Sequence, residues 1–512
     1  MHDNEPSMLL RKKPGFLCLL SSMLFSTLTA APKMRVRVML EEENIPDTGD
    51  MHFAAMVSAN LTGFPRQPSI YTLAAYIFAQ SQFAREEEFA YAPDFISTTF
   101  RIALGMGLHR HFPDAGFTPA EMETRRRLWW YILHLDVMSS SSSGLSPLFI
   151  DEKMANTNHI SQYDCVDSAS KNEVDIRYIV ASRRYEITKE IRVVLKCHFE
   201  DHFSSPDHVN EVAKRLDAVA EGVNSTIETL LKVRSSRPRI TERSHRSRAG
   251  QNPAAPMFER VWSLQPDPGD QEVIDFSSWA ALLLHLMVHK AYCVLYRPLF
   301  KDQSISSHEM IRSNAVKHAQ AFIQLFIRVC NDPISEPFHW MYPGTYQPLQ
   351  AVSLLLAHTL QHSYSDDASL SRGLIDAIFE FYQVDEGIVS QGEPPRRQLS
   401  PSGKDAWTML VRTRRKALEQ IGVDHHVLYP SPFISSGSCI CGVRVAAEKP
   451  GEPSTQQHWS SGPSAAGQQE VAVEPLVVNE EQPELLSSSL GQMDIDWVAW
   501  DNAVGPSIGM ML

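Results

Sequence analysis

Cysteine is scarce in this 512-residue chain, and the few that occur do not form paired sites. Cys18, Cys165, Cys197, Cys293, Cys330, Cys439 and Cys441 are odd in number and scattered, and the spacing C-x-x-C never occurs. That pattern excludes a disulfide scaffold and suits a reducing compartment. Only Cys439 and Cys441 are close in sequence, so a closed site of four thiolate or imidazole ligands has no obvious source here. No apolar run approaches the roughly 20 uninterrupted residues a membrane span needs, and no membrane partner is expected. Strand patterning is nearly missing. The strings H-E-x-x-H and G-x-x-x-x-G-K-S/T do not occur. Gly105-x-Gly107 lacks the third glycine of a dinucleotide loop and follows a helical pattern rather than a strand. No catalytic residues and no enzymatic role are expected.

Basic residues are missing from one end. Residues 450 to 512 hold nine acids and no Lys or Arg, against a net charge of −13 for the whole chain. The other 449 residues are therefore close to neutral at −4, without the basic balance of a self-sufficient DNA-binding domain. From 431 to 512 the composition turns to Ser, Gly, Pro, Gln and Glu, which cannot bury enough apolar surface to offset chain entropy. This tail is expected to be disordered. Near its end Met493, Ile495, Trp497 and Trp500 alternate with Asp494, Asp496 and Asp501. Charge keeping aromatics exposed until they enter a coactivator groove is the chemistry of an acidic activation segment. The plainer alternative is a terminal strand or helix docked on the core.

The segment 232–272 is the reverse case, a basic stretch without apolar periodicity that reads as a disordered loop. Arg234, Arg237, Arg239, Arg243, Arg246 and Arg248 make it a candidate nuclear-import element; a solvated linker is the plainer reading.

What remains is helical. Phe95, Thr99, Ile102 and Met106 fall on one face after Pro93-Asp94. Thr118-Pro119-Ala120-Glu121 is a capping box with proline at the first helical position, opening a helix expected to reach about Met138. A segment of low pattern follows. Apolar faces resume with Leu282, Leu286, His289, Cys293 and Tyr296, stopping at Arg297-Pro298. Ser306-x-x-Glu309 is a second capping box, leading into Ile311, Ala315, His318, Phe322, Leu325 and Val329. Three more faces begin at Leu349, Leu370 and Trp407. The expectation is an all-α fold with two helical halves, 51–231 and 273–430. Residues 1–50 are an N-terminal segment, either a first helix or an artefact of the gene model. In it Arg11-Lys12-Lys13 precedes the apolar run 16–28 and Thr29-Ala30-Ala31, as in a secretory signal. The alternative function is accordingly a secreted or lumenal helical protein led by residues 8–31. It would be cleaved near Ala31 and carry sugars at Asn60 or Asn224.

Between 95 and 155 the chain resembles the regulatory domain of fungal zinc-cluster transcription factors, their middle homology region. Ala103-Leu104-Gly105-Met106-Gly107-Leu108-His109-Arg110 is similar to the family's A-x-x-L-G-L-H-R helix end. Glu121 with Arg125-Arg126-Arg127-Leu128-Trp129-Trp130 is similar to its E-x-x-x-R-R-R-x-W-W run. Asp136, Ser139, Gly144, Pro147, Ile150 and Asp151 follow the order of its continuation, and Arg297-Pro298 resembles its later R-P element. Gly144-Leu145-Ser146-Pro147 is one residue longer than the usual G-x-P, after five serines. The resemblance implies a nuclear regulator of RNA polymerase II transcription, large and multi-helical. It would act with a coactivator or transcription machinery, and with itself or a related regulator as a dimer. Such factors open with six cysteines holding two zinc ions, and residues 1–94 contain only Cys18. This chain is therefore expected to hold no cofactor. Zinc would enter only with a missing N-terminal cluster, and DNA only through that module or a partner.

Individual residues have competing readings. The Arg-Arg-Arg-x-Trp-Trp run could neutralise phosphate and stack on bases, but at helical spacing its tryptophans read as core anchors, with the arginines paired to carboxylates. Asp136 reads as such a carboxylate rather than a catalytic one. His109-Arg110 reads as a cationic helix-end cap, and His289 and His318 as core histidines.

Overall fold

The computed structural model describes residues 15–31, 33–40, 47–83, 91–112, 116–148, 155–163, 175–201, 206–236, 271–301, 308–341, 348–382, 384–385, 388–389 and 401–422. Among them are thirteen α-helices. The first five are α1 Gly15–Ala30, α2 Lys33–Leu40, α3 Thr48–Leu61, α4 Ile70–Ser81 and α5 Tyr91–Gly105. Next come α6 Pro119–Ser143, α7 Ile176–Lys196, α8 Pro206–Ser236 and α9 Gln271–Tyr296. The last four are α10 His308–Asn331, α11 Leu349–Gln361, α12 Asp366–Tyr382 and α13 Pro401–Gln420. A two-residue antiparallel pair, Val384–Asp385 with Ile388–Val389, is the only sheet among the described residues. The fold is all-α.

Chain order becomes packing order. Helix α1 lies on α3 and α4, α4 on α5, α5 on α6, and α6 on α7. Helix α9 is the hub, packed against α7, α8 and α10, and from α10 the stack continues through α11 to α12 and α13. Its residues Leu283, Leu284, Leu286 and Met287 are fully buried. Helix α9 is apolar and long enough to cross a membrane, but 83% of its most apolar window is inside the protein, as a core helix requires.

Four features differ from expectation. The five-serine run is not a loop: α6 continues through Ser143. Its hydroxyls turn back onto the helix, Ser141 and Ser142 donating to Met138 O and Ser143 to Ser139 O, so the serines satisfy themselves in helical conformation. The segment of low pattern contains α7 and α8, the second being 31 residues long. Helix α8 also runs to Ser236 and α9 begins at Gln271, so 232–236 and 271–272 are helical rather than part of a disordered loop. Finally, the signal-like run forms α1, with two of its serines turned inward. Cys18, Ser22, Phe25 and Ser26 are buried. Cys18 meets Ala59 and Ala75 and donates to Ala55 O, and Ser26 donates to Phe78 O. Ser306 and the tail 431–512 lie outside the described residues.

Candidate functional site

The signature residues converge where α5, α6 and the segment 155–163 meet. Helix α5 ends at Gly105, and Gly107 turns the chain at φ 70°, a conformation that disfavours a side chain. This turn brings Leu108 and His109 back against α6. There Phe100, Ala103, Leu108, Trp129, Ile132 and Leu133 form one core with Leu73 and Ile77. Trp129 is 1% exposed, with the Phe100 and His109 rings at 5.6 and 5.8 Å. An indole so enclosed cannot stack on a base. Burial pushes His109 below the ordinary histidine range, with Arg110 adding to the effect. Arg110 Nε donates to His109 Nε2 at 3.1 Å, so His109 is a neutral acceptor. That corrects the cationic-cap reading.

The arginines hold backbone and carboxylate. Arg125 Nη2 donates to Met106 O at 2.6 Å, satisfying a carbonyl at the end of α5, and its guanidinium lies 4.5 Å from the Phe117 ring centre. Glu123, 2% exposed, accepts from Arg126, Arg127 and the Ser161 amide. Arg127 also covers the Tyr178 ring at 3.6 Å. Trp130, half-buried, donates through Nε1 to Asn158 O and faces His159 at 4.8 Å. Glu123 and Trp130 thus strap 155–163 across α6. Sequence reasoning missed Glu123; a carboxylate three and four residues before two arginines was its signal. Glu121 closes the capping box with Thr118.

Asp136 performs a different task from pairing an arginine. Both its carboxylate oxygens accept from the Leu148 amide, at 3.2 and 3.0 Å, while Arg192 of α7 donates to Leu148 O at 3.2 Å. One peptide unit is held on both sides, which fixes the path of Gly144-Leu145-Ser146-Pro147. Gly144 adopts φ 70° as the left-handed cap of α6. Burial pushes the Asp136 carboxyl up to about 7, opposed by the Leu148 amide and Arg192. Next to it His134 is buried and held well below its usual range, first by burial and then by Arg184. Thr188 Oγ1 donates to Arg184 O, so it accepts from His134 Nδ1, leaving Nε2 to accept from Arg184 at 3.1 Å.

Other expected positions fall elsewhere. Arg297 and Pro298 end α9 and open a short 3-10 turn that buries Leu299 and Phe300. His289 and His318 meet between α9 and α10, Nδ1 to Nδ1 at 2.9 Å, with Tyr292 stacked 4.0 Å from His318. Asp151, the import candidates Arg237, Arg239, Arg243, Arg246 and Arg248, and the activation candidates Met493, Ile495, Trp497 and Trp500 lie outside the described residues. Arg234 falls within α8. Among the described residues no three His, Cys, Asp or Glu side chains gather as a metal set. The junction is a built architecture of packing and hydrogen bonds that positions two helices and two connecting segments.

Residues 52–244 match the family described as the fungal specific transcription factor domain. Among curated proteins the chain is similar to transcription factor macR of Penicillium terrestre, 25% identical over 73% of this chain and 44% of that protein. It is similar to transcription factor yanR of Aspergillus niger, 34% identical over 28% of this chain and 18% of that protein. It is also similar to the C6 finger domain transcription factor hasF of Aspergillus fumigatus, 34% identical over 20% of this chain and 16% of that protein. The chain thus spans less than half the length of these relatives. No solved structure matches. The matched region contains the whole α5–α6 junction, so the junction lies in a segment similar to the fungal specific transcription factor domain.

Proposed function

We propose that this chain regulates RNA polymerase II transcription, its helical body relaying a signal and its acidic tail recruiting a coactivator. The observation that carries the reading is the junction itself. Trp129, Arg125, Glu123 and Asp136 fix two helices and two straps within a region that matches a transcription-regulatory domain. None of these groups is arranged for chemistry on a substrate. In this reading the protein works in the nucleus. DNA is reached through a module outside these 512 residues or through a partner, and zinc belongs to that module. Self-association, or pairing with a related regulator, belongs to the same reading.

The test is a fusion of residues 475–512 to an unrelated DNA-binding domain, with a reporter in a fungal cell. The fusion should activate. Trp497→Ala with Trp500→Ala should remove most of the activity, because few aromatic anchors carry such an interface. Asp494, Asp496 and Asp501 changed to Asn should weaken it through slower encounter. A nuclear, stable and silent fusion overturns the activation role.

A further inference from the structure

The turn between α11 and α12 gathers two arginines and a buried histidine from three helices. Helices α10, α11 and α12 pack on one another, each touching the other two. His358 of α11 is fully buried, and its Nε2 lies 3.3 Å from the Ser365 hydroxyl. Its other ring nitrogen, Nδ1, is buried without a hydrogen-bond partner. Arg372 of α12 donates through Nη1 to Ser363 O at 2.9 Å. Burial first, then Arg312 of α10, His362 and Arg372, push His358 down to about 4, with Glu309 opposing them. Two guanidinium charges therefore reach this ring. Ser365, half-buried, stands immediately before α12, and its carbonyl accepts from the Ala368 amide at 3.0 Å. Tyr364 beside it is 86% exposed, so the turn is open to solvent.

We propose that Ser365 is a phosphorylation site, modified by an acid-directed serine kinase with ATP as the phosphoryl donor. In the transfer the Ser365 Oγ attacks the γ-phosphorus, the new P–O bond forms as the bond to ADP breaks, and the hydroxyl proton passes to the kinase. The product carries about −1.5 to −2 charges at pH 7. It meets the first-turn amides of α12, which have no partner within the helix, together with the Arg372 and Arg312 guanidinium groups and the His358 ring. Ser363 is set aside by its own geometry. Its hydroxyl donates to Thr359 O at 2.8 Å at the C-terminal end of α11, where the helix dipole opposes a phosphate. Asp366 and Asp367, exposed directly after Ser365, are the acids such a kinase reads. Their repulsion of the phosphate is screened by solvent. Glu309, the partner of Arg312, is 77% exposed, and an exposed pair is worth little, so it yields Arg312 to the phosphate. One anion thus ties α10, α11 and α12 together. The proposal names a signal for the helical body and rests on the regulatory reading for its consequence. Its readouts are phosphate and melting, with no reporter involved, so the two can fail separately.

The test treats the full chain with an acid-directed serine kinase and ATP and maps the phosphate by mass spectrometry. Ser365 should take it, Ser365→Ala should lose it, and Ser363→Ala should take it as the wild type does. Phosphorus NMR should place the second ionisation of the folded phosphoserine about one unit below its ordinary value of about 6, since the arginines favour the dianion. Unfolding in urea should restore the ordinary value. Arg312→Gln and Arg372→Gln should each give back part of the shift. The phosphorylated chain should melt about 2 °C or more above the unmodified one. A turn that takes no phosphate, or takes it on Ser363 alone, overturns the proposal. So do a folded phosphoserine that titrates at about 6, and a phosphorylated chain that melts no higher than the unmodified one.

Discussion

Asp136 shows how one side chain does structural work that its neighbours in sequence do not reveal. It lies one turn after Ile132 on α6, and a carboxylate on an apolar face invites the search for an arginine. Its partner is instead the amide of Leu148, twelve residues on, with Arg192 closing the other side of that peptide. The titration sign follows from burial. The folded carboxyl stands near 7 against an ordinary 3.8, so the folded state binds the proton more tightly than the unfolded chain does. The stability linked to this group is fully present below pH 3.8 and is lost as pH rises towards 7. Asp136→Asn keeps an acceptor for Leu148 without the charge. Its melting temperature relative to wild type should therefore rise between pH 4.5 and 7.5. Asp136→Ala, which leaves the Leu148 amide without its acceptor, should lie below Asp136→Asn by about 1–3 kcal/mol at either pH. Thermal melts at the two pH values decide the matter; parallel profiles for wild type and Asp136→Asn would rule out the assignment. At the same scale Trp129→Ala should cost about 3–5 kcal/mol, as loss of a fully buried indole does.

Helix α6 was readable at one end and misread at the other. Thr118, Pro119 and Glu121 announce its start in three letters, and the structure shows both hydrogen bonds of the box. Five serines hid its end, because serine favours turns by bonding to nearby backbone, and the same hydroxyls can bond within the helix instead. Helices α7 and α8 escaped for another reason. Val209, Val212, Leu216, Val223, Ile227 and Leu230 all lie on one buried stripe of α8. Between them the sequence is densely charged, so the apolar residues stand alone instead of in runs. Helix α1 was legible as a helix but not in its orientation, since the carbonyl that Ser26 meets inside, Phe78 O, lies far along the chain. The two ends of α6 can be tested separately. Thr118→Ala should cost about 1 kcal/mol through the lost cap. Gly144→Ala should cost about 1–2 kcal/mol from its left-handed conformation alone, because nothing lies within 4 Å of a side chain built there. The ends are 25 residues and roughly 38 Å apart, so the double variant should equal the sum of the singles in denaturant unfolding. A double variant no worse than either single would mean the helix ends are not both formed.

The two halves of the sequence make one body, as the Gln350 side chain of α11 donating to Ser141 O of α6, 209 residues away, illustrates. Neutral buried histidines recur through that body. His198 on the π-turn after α7, His318 on α10 and His358 on α11 are pushed down to about 4, and His289 on α9 to about 3, burial being the first cause in each case. Lys317 adds to the effect at His289 and His318, and Arg312 and Arg372 at His358. Each group binds its proton more weakly folded than unfolded. The stability they supply is present above about pH 6.5 and is lost as pH falls towards 4. Asp136 works in the opposite sense over part of that window, but it is one group against these four and the likewise depressed His109 and His134, so the body should loosen on acidification. The His289–His318 pair isolates the effect, because a single hydrogen bond between two rings requires one Nδ1 to donate and the other to accept. Removing either ring leaves the other without that partner, so His289→Leu or His318→Phe alone should cost about 1–3 kcal/mol at pH 7.5. Replacing both removes the unmet hydrogen bond and two of the acid-sensitive groups. The double variant should therefore recover most of the single-variant loss, and its melting temperature should fall less than that of wild type between pH 7.5 and 5. Circular dichroism melts at those two pH values measure both effects. A double variant that falls as steeply as wild type would place the acid sensitivity of this body elsewhere.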